Sequence, residues 1–217
     1  MSTYRAVLFD MDGVIVDSEP HWERIWREDV FPRFDGDPSL DDVIGRDYTE
    51  TVPELAETYG LEGDVETVLE AMEDRATAIY AEEAGTDPDL VALFDHLRER
   101  GLDVGIVSSS PRDWIRQVVE RFGLGPLSVI VSAGEIDGPG KPAPGVYERA
   151  MAELGVDPAA CIVIEDSVNG VRAAAAAGAT VIRFQQSGAA EPLPEADAVA
   201  DDPAELRAIL EELLAEA

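Results

Sequence analysis

Short apolar runs separated by helix-length amphipathic stretches constrain this chain more than any other feature of its sequence. Ala6–Phe9, Val104–Val107, Val129–Val131, Ile162–Ile164 and Thr180–Phe184 are too short and too uniformly apolar for surface helices. They read as strands buried on both faces of a sheet. Between the later runs, Asp89–Arg100, Arg112–Phe122, Pro144–Leu154 and Val168–Ala177 have the periodicity and length of crossover helices. Strand and helix in alternation predict an α/β layer sandwich around a mostly parallel sheet. The punctuation agrees. Asp87-Pro88, Asp157-Pro158 and Asp202-Pro203 pair an acceptor for orphan amides with a proline whose missing N–H costs nothing in a first turn. Gly101, Gly123 and Gly155 stand where helices end.

One segment breaks the rhythm. From residue 16 to 85 the sequence carries helical periodicity in Glu19–Val30, Glu50–Tyr59 and Val65–Glu83, with no strand pattern. Its junctions, Asp17-Ser18-Glu19-Pro20 and Gly85-Thr86-Asp87-Pro88, are rich in turn formers. The expected organisation is an α/β core of residues 1–15 and 86–217 with an inserted helical cap domain of residues 16–85.

In open α/β sheets the functional crevice lies beyond the carboxyl ends of the strands. Four such ends carry polar groups: Asp10-Met11-Asp12-Gly13, Ser108-Ser109-Ser110, Gly140-Lys141-Pro142 and Glu165-Asp166-Ser167. Asp10, Asp12, Glu165 and Asp166 offer hard oxygen ligands with no imidazole or thiolate nearby, a set that selects Mg2+ over zinc. A lysine and a serine hydroxyl beside the metal can bind phosphoryl oxygens. A carboxylate in line with phosphorus can attack it, giving an aspartyl-phosphate. A second carboxylate two residues on can protonate the leaving oxygen and then take a proton from water. Lys141 is conspicuous for a compositional reason. Of 16 basic residues 15 are arginine, so Lys141 is the single lysine in the chain.

In combination and order these residues resemble the haloacid dehalogenase superfamily, on the side of its β-phosphoglucomutase and sugar-phosphatase branch with a small helical cap. The matching stretches are Phe9-Asp10-Met11-Asp12-Gly13-Val14-Ile15-Val16-Asp17-Ser18-Glu19-Pro20, Ile106-Val107-Ser108-Ser109-Ser110-Pro111, Gly140-Lys141-Pro142-Ala143-Pro144 and Ile164-Glu165-Asp166-Ser167-Val168-Asn169-Gly170. The resemblance implies a Rossmann-like three-layer sandwich with an inserted helical cap. It also implies Asp10 as nucleophile and Mg2+ ligand, and Asp12 as general acid/base that ligates metal through its carbonyl. Ser108 and Lys141 would hold the phosphoryl group. Asp166 would bind Mg2+ directly, with Glu165 beside it or acting through water.

Asp12 bears on reaction type, because the superfamily's dehalogenases need neither an acid there nor Mg2+. The resemblance therefore implies phosphoryl transfer from a small phosphorylated metabolite. The mutases of the branch carry a cap-hinge histidine where this chain has Trp22, with His21 one residue early. That favours a phosphatase for sugar phosphates, with a β-phosphoglucomutase-like mutase and a phosphoglycolate phosphatase as alternatives. Ser109, Arg46 and Trp22 are the expected substrate contacts. Arg46, in Gly45-Arg46-Asp47-Tyr48, reads equally as a contact to sugar hydroxyls or a second phosphate and as an exposed structural arginine. Trp22 and Trp26, at helical spacing, also suit a cap core. His21 and His96 read as bystanders. A monomer is implied.

The surroundings follow from charge. With 46 acidic against 16 basic residues, the formal net charge is −30. No basic stripe exists to displace counterions from phosphate backbones, which excludes nucleic-acid and anionic-membrane partners. At 46% apolar residues the chain can still bury a sizeable core. The lone Cys161 lies in an apolar run, a buried thiol suited to a reducing compartment. No apolar stretch approaches the ~20 residues of a membrane span, and no signal-peptide pattern opens the sequence, so a cytoplasmic location is expected. Acid enrichment with lysine depletion resembles proteins of salt-loving organisms. Surface repulsion is screened when the Debye length falls to ~3 Å at 1 M salt. The expected consequence is a thermal unfolding midpoint several degrees higher in molar KCl than in dilute buffer. An equal or higher midpoint in dilute buffer would contradict the saline reading.

Overall fold

The computed structural model describes residues 4–43, 48–185 and 193–215. The chain divides into two compact units, Met1–Asp17 with Gly85–Ala217, and Ser18–Ala84.

The first unit is built on one six-stranded sheet. Its strands are β1 (Ala6–Phe9), β2 (Asp103–Ser108), β3 (Val129–Ser132), β4 (Cys161–Glu165), β5 (Thr180–Phe184) and β6 (Ala198–Ala200). They lie in the order β3-β2-β1-β4-β5-β6, and every neighbouring pair is parallel. The sheet therefore reverses its winding between β1 and β4. The two crossovers that lead outward from β1 to β2 and β3 and those that run to β4 and β5 must lie on opposite faces if each is right-handed. The point of reversal opens a crevice beyond the carboxyl ends of β1 and β4.

Side-chain alternation fills the two faces. Ala6 and Leu8 of β1, Cys161 and Val163 of β4, and Val181 of β5 form one buried cluster with Val146, Tyr147, Ala150 and Met151 of α6 (Gly145–Leu154) and Val171, Ala173 and Ala174 of α7 (Val168–Ala176). The residues between them face the other way, and Phe9 stacks on Phe94 of α4 (Pro88–Glu99) at 4.4 Å between ring centroids. α5 (Arg112–Phe122) and α8 (Pro203–Ala215) complete the helices of this unit. Gly123 and Gly155 close α5 and α6 in the left-handed conformation. Burial pushes the Cys161 thiol up to about 12, so near neutral pH it is a packed apolar group.

The second unit contains α1 (Glu19–Arg24), α2 (Tyr48–Tyr59) and α3 (Val65–Ala78). Two of its helices do not run on in α geometry as their periodicity predicts. α1 continues as a π-helical turn over Ile25–Val30, and α3 as another over Ile79–Glu83. Both turns bury apolar groups, Ile25, Trp26 and Val30 in one and Ile79 and Tyr80 in the other. Where the chain leaves and rejoins the first unit, the Asp17 N–H donates to the Gly85 carbonyl at 3.1 Å.

β6 has no counterpart in the sequence reading because three residues are too few to display a period. Helix α8 follows the Asp202-Pro203 signal, and the Asp202 carboxylate accepts from the Glu205 N–H at 2.8 Å.

Gly105, in the middle of β2, gives the packing a test. A Cβ there would sit 2.9 Å from both the Val129 carbonyl oxygen and a Leu8 methyl, with backbone unable to yield. Gly105→Ala is expected to cost about 1–3 kcal/mol, as overpacked cores do, read as a lowered denaturation midpoint. An unchanged midpoint would show that β2 and β3 can separate freely.

Candidate active site

Strand phase decides what meets at the crevice. Asp10 continues the alternation of Ala6 and Leu8, and Glu165 that of Cys161 and Val163, so both carboxylates turn to the face covered by α6 and α7. Register sets their height. Phe9 is level with Ile106 of β2 and with Ile164 of β4, and the Asp10 N–H donates to the Ile164 carbonyl at 2.9 Å. Asp10 thus stands at the junction of three strand ends.

Lys141 enters from the same face, four residues before α6. Its Nζ lies 2.5 Å from Asp10 Oδ1, 2.6 Å from Glu165 Oε1 and 3.4 Å from the Val107 carbonyl oxygen. Only 7% of its side chain is exposed, against 9% for Asp10 and none for Glu165. Burial alone would discharge this amine, but Asp10 and Glu165 outweigh it and hold the ammonium well above the usual lysine range. The Asp10 carboxyl is pushed well above the usual carboxylate range. Burial is the main cause, Lys141 opposes it, and the charges of Glu165, Asp166 and Asp12 reinforce it. One ammonium is facing too many carboxylates.

Glu165 is bound on both oxygens. Oε1 accepts from Lys141 and from the Tyr147 hydroxyl at 2.8 Å, while Oε2 accepts from the Ser167 N–H at 3.1 Å and its Oγ–H at 3.0 Å. Ser167 Oγ in turn caps α7 by accepting from the Gly170 N–H at 3.0 Å. A Cβ at Gly170 would collide with the Glu165 carboxylate, so the first turn of α7 can approach that acid only as glycine. Gly13 is needed twice over: its φ is +78°, and a Cβ would strike the Asp166 carboxylate. The Asp166 carbonyl accepts from Nε of the buried Arg183 at 3.2 Å.

Of the four acids named from sequence, three come together. Asp10, Glu165 and Asp166 each offer an oxygen within 4.8 Å of the others. The Asp12 carboxylate is not part of that group. Its Oδ2 accepts from Ser110 Oγ at 2.7 Å and lies 3.5 Å from Ser108 Oγ, so two hydroxyls at the end of β2 hold it to the side of the cluster. Ser108 is buried and its Oγ accepts from the Ser110 N–H at 2.9 Å, whereas Ser109 is exposed. The donor set fits Mg2+: hard carboxylate oxygens, partly dry, with negative charge in excess of the one ammonium.

The remaining expected contacts lie in the second unit. Trp22 donates its indole N–H to the Tyr80 hydroxyl at 3.1 Å and packs 5.5 Å from the Tyr48 ring, and Trp26 is 5% exposed. Arg46 lies outside the described residues. His21 Nδ1 is 3.3 Å from Glu83, and His96 Nε2 is 3.6 Å from Glu211.

Residues 4–178 match the family of haloacid dehalogenase-like hydrolases. The chain belongs to that family. Hexitol phosphatase B of Escherichia coli (strain K12) is 34% identical over 196 residues, spanning 82% of this chain and 83% of that protein. Validoxylamine A 7'-phosphate phosphatase of Streptomyces hygroscopicus subsp. limoneus is 30% identical over 214 residues, spanning 94% and 96%. Among solved structures, a HAD family hydrolase from Deinococcus radiodurans R1 with bound phosphate and sodium is 30% identical, with a TM-score of 0.74 over 98% of this chain and 97% of that one.

Tyr147, Ser110 and Ser167 hold acids of this cluster, and the sequence reading assigned a part to none of the three. Tyr147 sits in an apolar helical stripe, where a tyrosine is indistinguishable from core. Ser110 is the third of three serines, and nothing in the sequence says which of them turns toward Asp12.

Lys141→Met tests the electrostatic balance. It leaves Asp10 and Glu165 buried without their counter-charge, and breaking such a pair typically costs about 3–5 kcal/mol. Denaturation in chelator at neutral pH is the measurement. A variant as stable as the parent would mean that the carboxylates are neutral or hydrated.

Proposed function

We propose that this hydrolase is a Mg2+-dependent phosphatase that cleaves small phosphomonoesters, sugar phosphates foremost, through an aspartyl-phosphate on Asp10. The observation that carries the reading is the buried ammonium of Lys141 bound to Asp10 at the end of the central strand. An oxyanion-binding cation beside a carboxylate nucleophile is what transfer of a phosphoryl group requires. The names of the curated relatives support phosphorylated carbohydrates as the substrate class.

Asp10 and Asp166 are the residues to hold the metal, with Glu165 at their side and the Asp12 carbonyl completing the set. When bound there, Mg2+ supplies positive charge to the phosphoryl oxygens and relieves repulsion between them and Asp10. The chain's own residues do the rest. Lys141 and Ser108 bind and orient the phosphoryl group. A carboxylate oxygen of Asp10 attacks phosphorus, and the bond to the ester oxygen breaks as that oxygen takes a proton from Asp12. Asp12 then accepts a proton from the water that attacks the aspartyl-phosphate, which releases inorganic phosphate and restores Asp10. Ser110 holds the Asp12 carboxylate through Oδ2. Trp22 and Arg46, both in the inserted segment, are proposed to contact the substrate. Water rather than a second sugar hydroxyl is the acceptor in this reading, since His21, nearest in sequence to the mutases' histidine, is engaged with Glu83.

Asp10→Asn is expected to reduce phosphate release from a panel of sugar phosphates to background, with the unfolding midpoint retained. Chelation of divalent cations should do the same to the parent, and added Mg2+ should restore it. Undiminished release by the variant would refute the nucleophile. An isomerised sugar phosphate in place of free phosphate would convert the reading to a mutase.

A further inference from the structure

Tyr147 is wholly buried, yet its hydroxyl lies within a chain of charged groups instead of in the apolar core. It donates at 2.8 Å to Glu165 Oε1, the same oxygen that Lys141 Nζ approaches at 2.6 Å. The ammonium also stands 5.1 Å from the centroid of the Tyr147 ring. Burial first and the Glu165 charge second push the phenol well above its usual range, so the group is a hydroxyl donor at any working pH.

A competition follows. Glu165 has no exposed surface, and its carboxylate meets two donors on each oxygen. Had Oε1 only Lys141, that oxygen would draw the ammonium as its sole neutralising partner. A lysine that must grip an incoming phosphoryl group beside Asp10 has to be shared between the two carboxylates, not captured by one.

We propose that Tyr147 is a positioning residue acting through Glu165: its hydroxyl takes up part of the charge on Oε1 and so sets how Lys141 divides between Glu165 and the phosphoryl-binding position at Asp10. The consequence for turnover rests on the phosphatase reading, whereas the coupling from Tyr147 to Lys141 can be measured without turnover.

Tyr147→Phe keeps the ring under Lys141 and removes only the hydroxyl. Because the chain has a single lysine, protein labelled with 13C,15N-lysine gives one side-chain amine signal, which reports Lys141 alone. The expected result is a displaced Lys141 Cε/Nζ resonance in the metal-free variant. In addition, binding of inorganic phosphate to the Mg2+-loaded protein should be weaker by about tenfold, the loss of one charge-assisted hydrogen bond. In turnover the KM for a sugar phosphate should rise by a similar factor with kcat changed much less. An unmoved lysine signal with unchanged phosphate affinity overturns the proposal, as does a loss in kcat alone that follows a fall in thermal stability. Should Tyr147→Phe not fold, Ser167→Ala removes a donor from the other oxygen of the same carboxylate. It must displace the lysine signal too, and an unmoved signal there is equally fatal. If the parent hydrolyses no phosphomonoester, the phosphatase reading falls while the lysine signal still decides the coupling.

Discussion

The ammonium of Lys141 is the interaction on which the site depends. Asp10 and Glu165 converge because strand phase and register deliver them to one place, Asp166 joins them from just beyond the end of β4, and convergence of like charges in a largely dry pocket is unfavourable. Lys141 makes the arrangement tolerable without neutralising it. Burial first, and then the excess of negative charge that remains, push the Asp10 carboxyl upward despite a cation at contact distance. A site left deliberately short of positive charge is one that gains from binding a divalent cation.

The surrounding backbone is shaped to the same end. Gly13 and Gly170 are both places where a side chain would displace an acid of the cluster. Ser167 is bound twice, to Glu165 and to the first turn of α7, so a helix cap and a charge anchor are one side chain. Packing below the site is ordinary by comparison: the phase that turns Leu8 and Val163 into the α6–α7 face carries straight on to Asp10 and Glu165. Core and chemistry share one alternation, and the chemistry begins where the strands run out.

That continuity explains what could be read from sequence. The five longer strands, the helices of the sheet and the acids at the strand ends were legible because period, punctuation and residue type all bear on them at once. Lysine scarcity singled out Lys141 before any geometry was known. What escaped was of two kinds. β6 and the π-helical turns Ile25–Val30 and Ile79–Glu83 are tertiary outcomes, since a three-residue strand and a widened helical turn leave no distinct period. The parts taken by Tyr147 and Ser110 depend on which way one hydroxyl points. The separation of the Asp12 carboxylate from the other acids is of the second kind as well, because Asp-x-Asp spacing places two acids near one turn but does not say that Ser110 will hold one of them aside.

The hydrogen bond from the Asp17 amide to the Gly85 carbonyl has a further meaning. It joins the two places where the polypeptide departs from and returns to the sheet-bearing unit, so the intervening 18–84 segment is a closed excursion whose ends are already neighbours. For such an excursion the entropy of closure grows only with the logarithm of its length. Lengthening, shortening or wholesale replacement of that segment therefore costs the parent fold little. A lineage built on this plan can exchange that segment while β1, β2 and β4, and the charges at their ends, stay as they are.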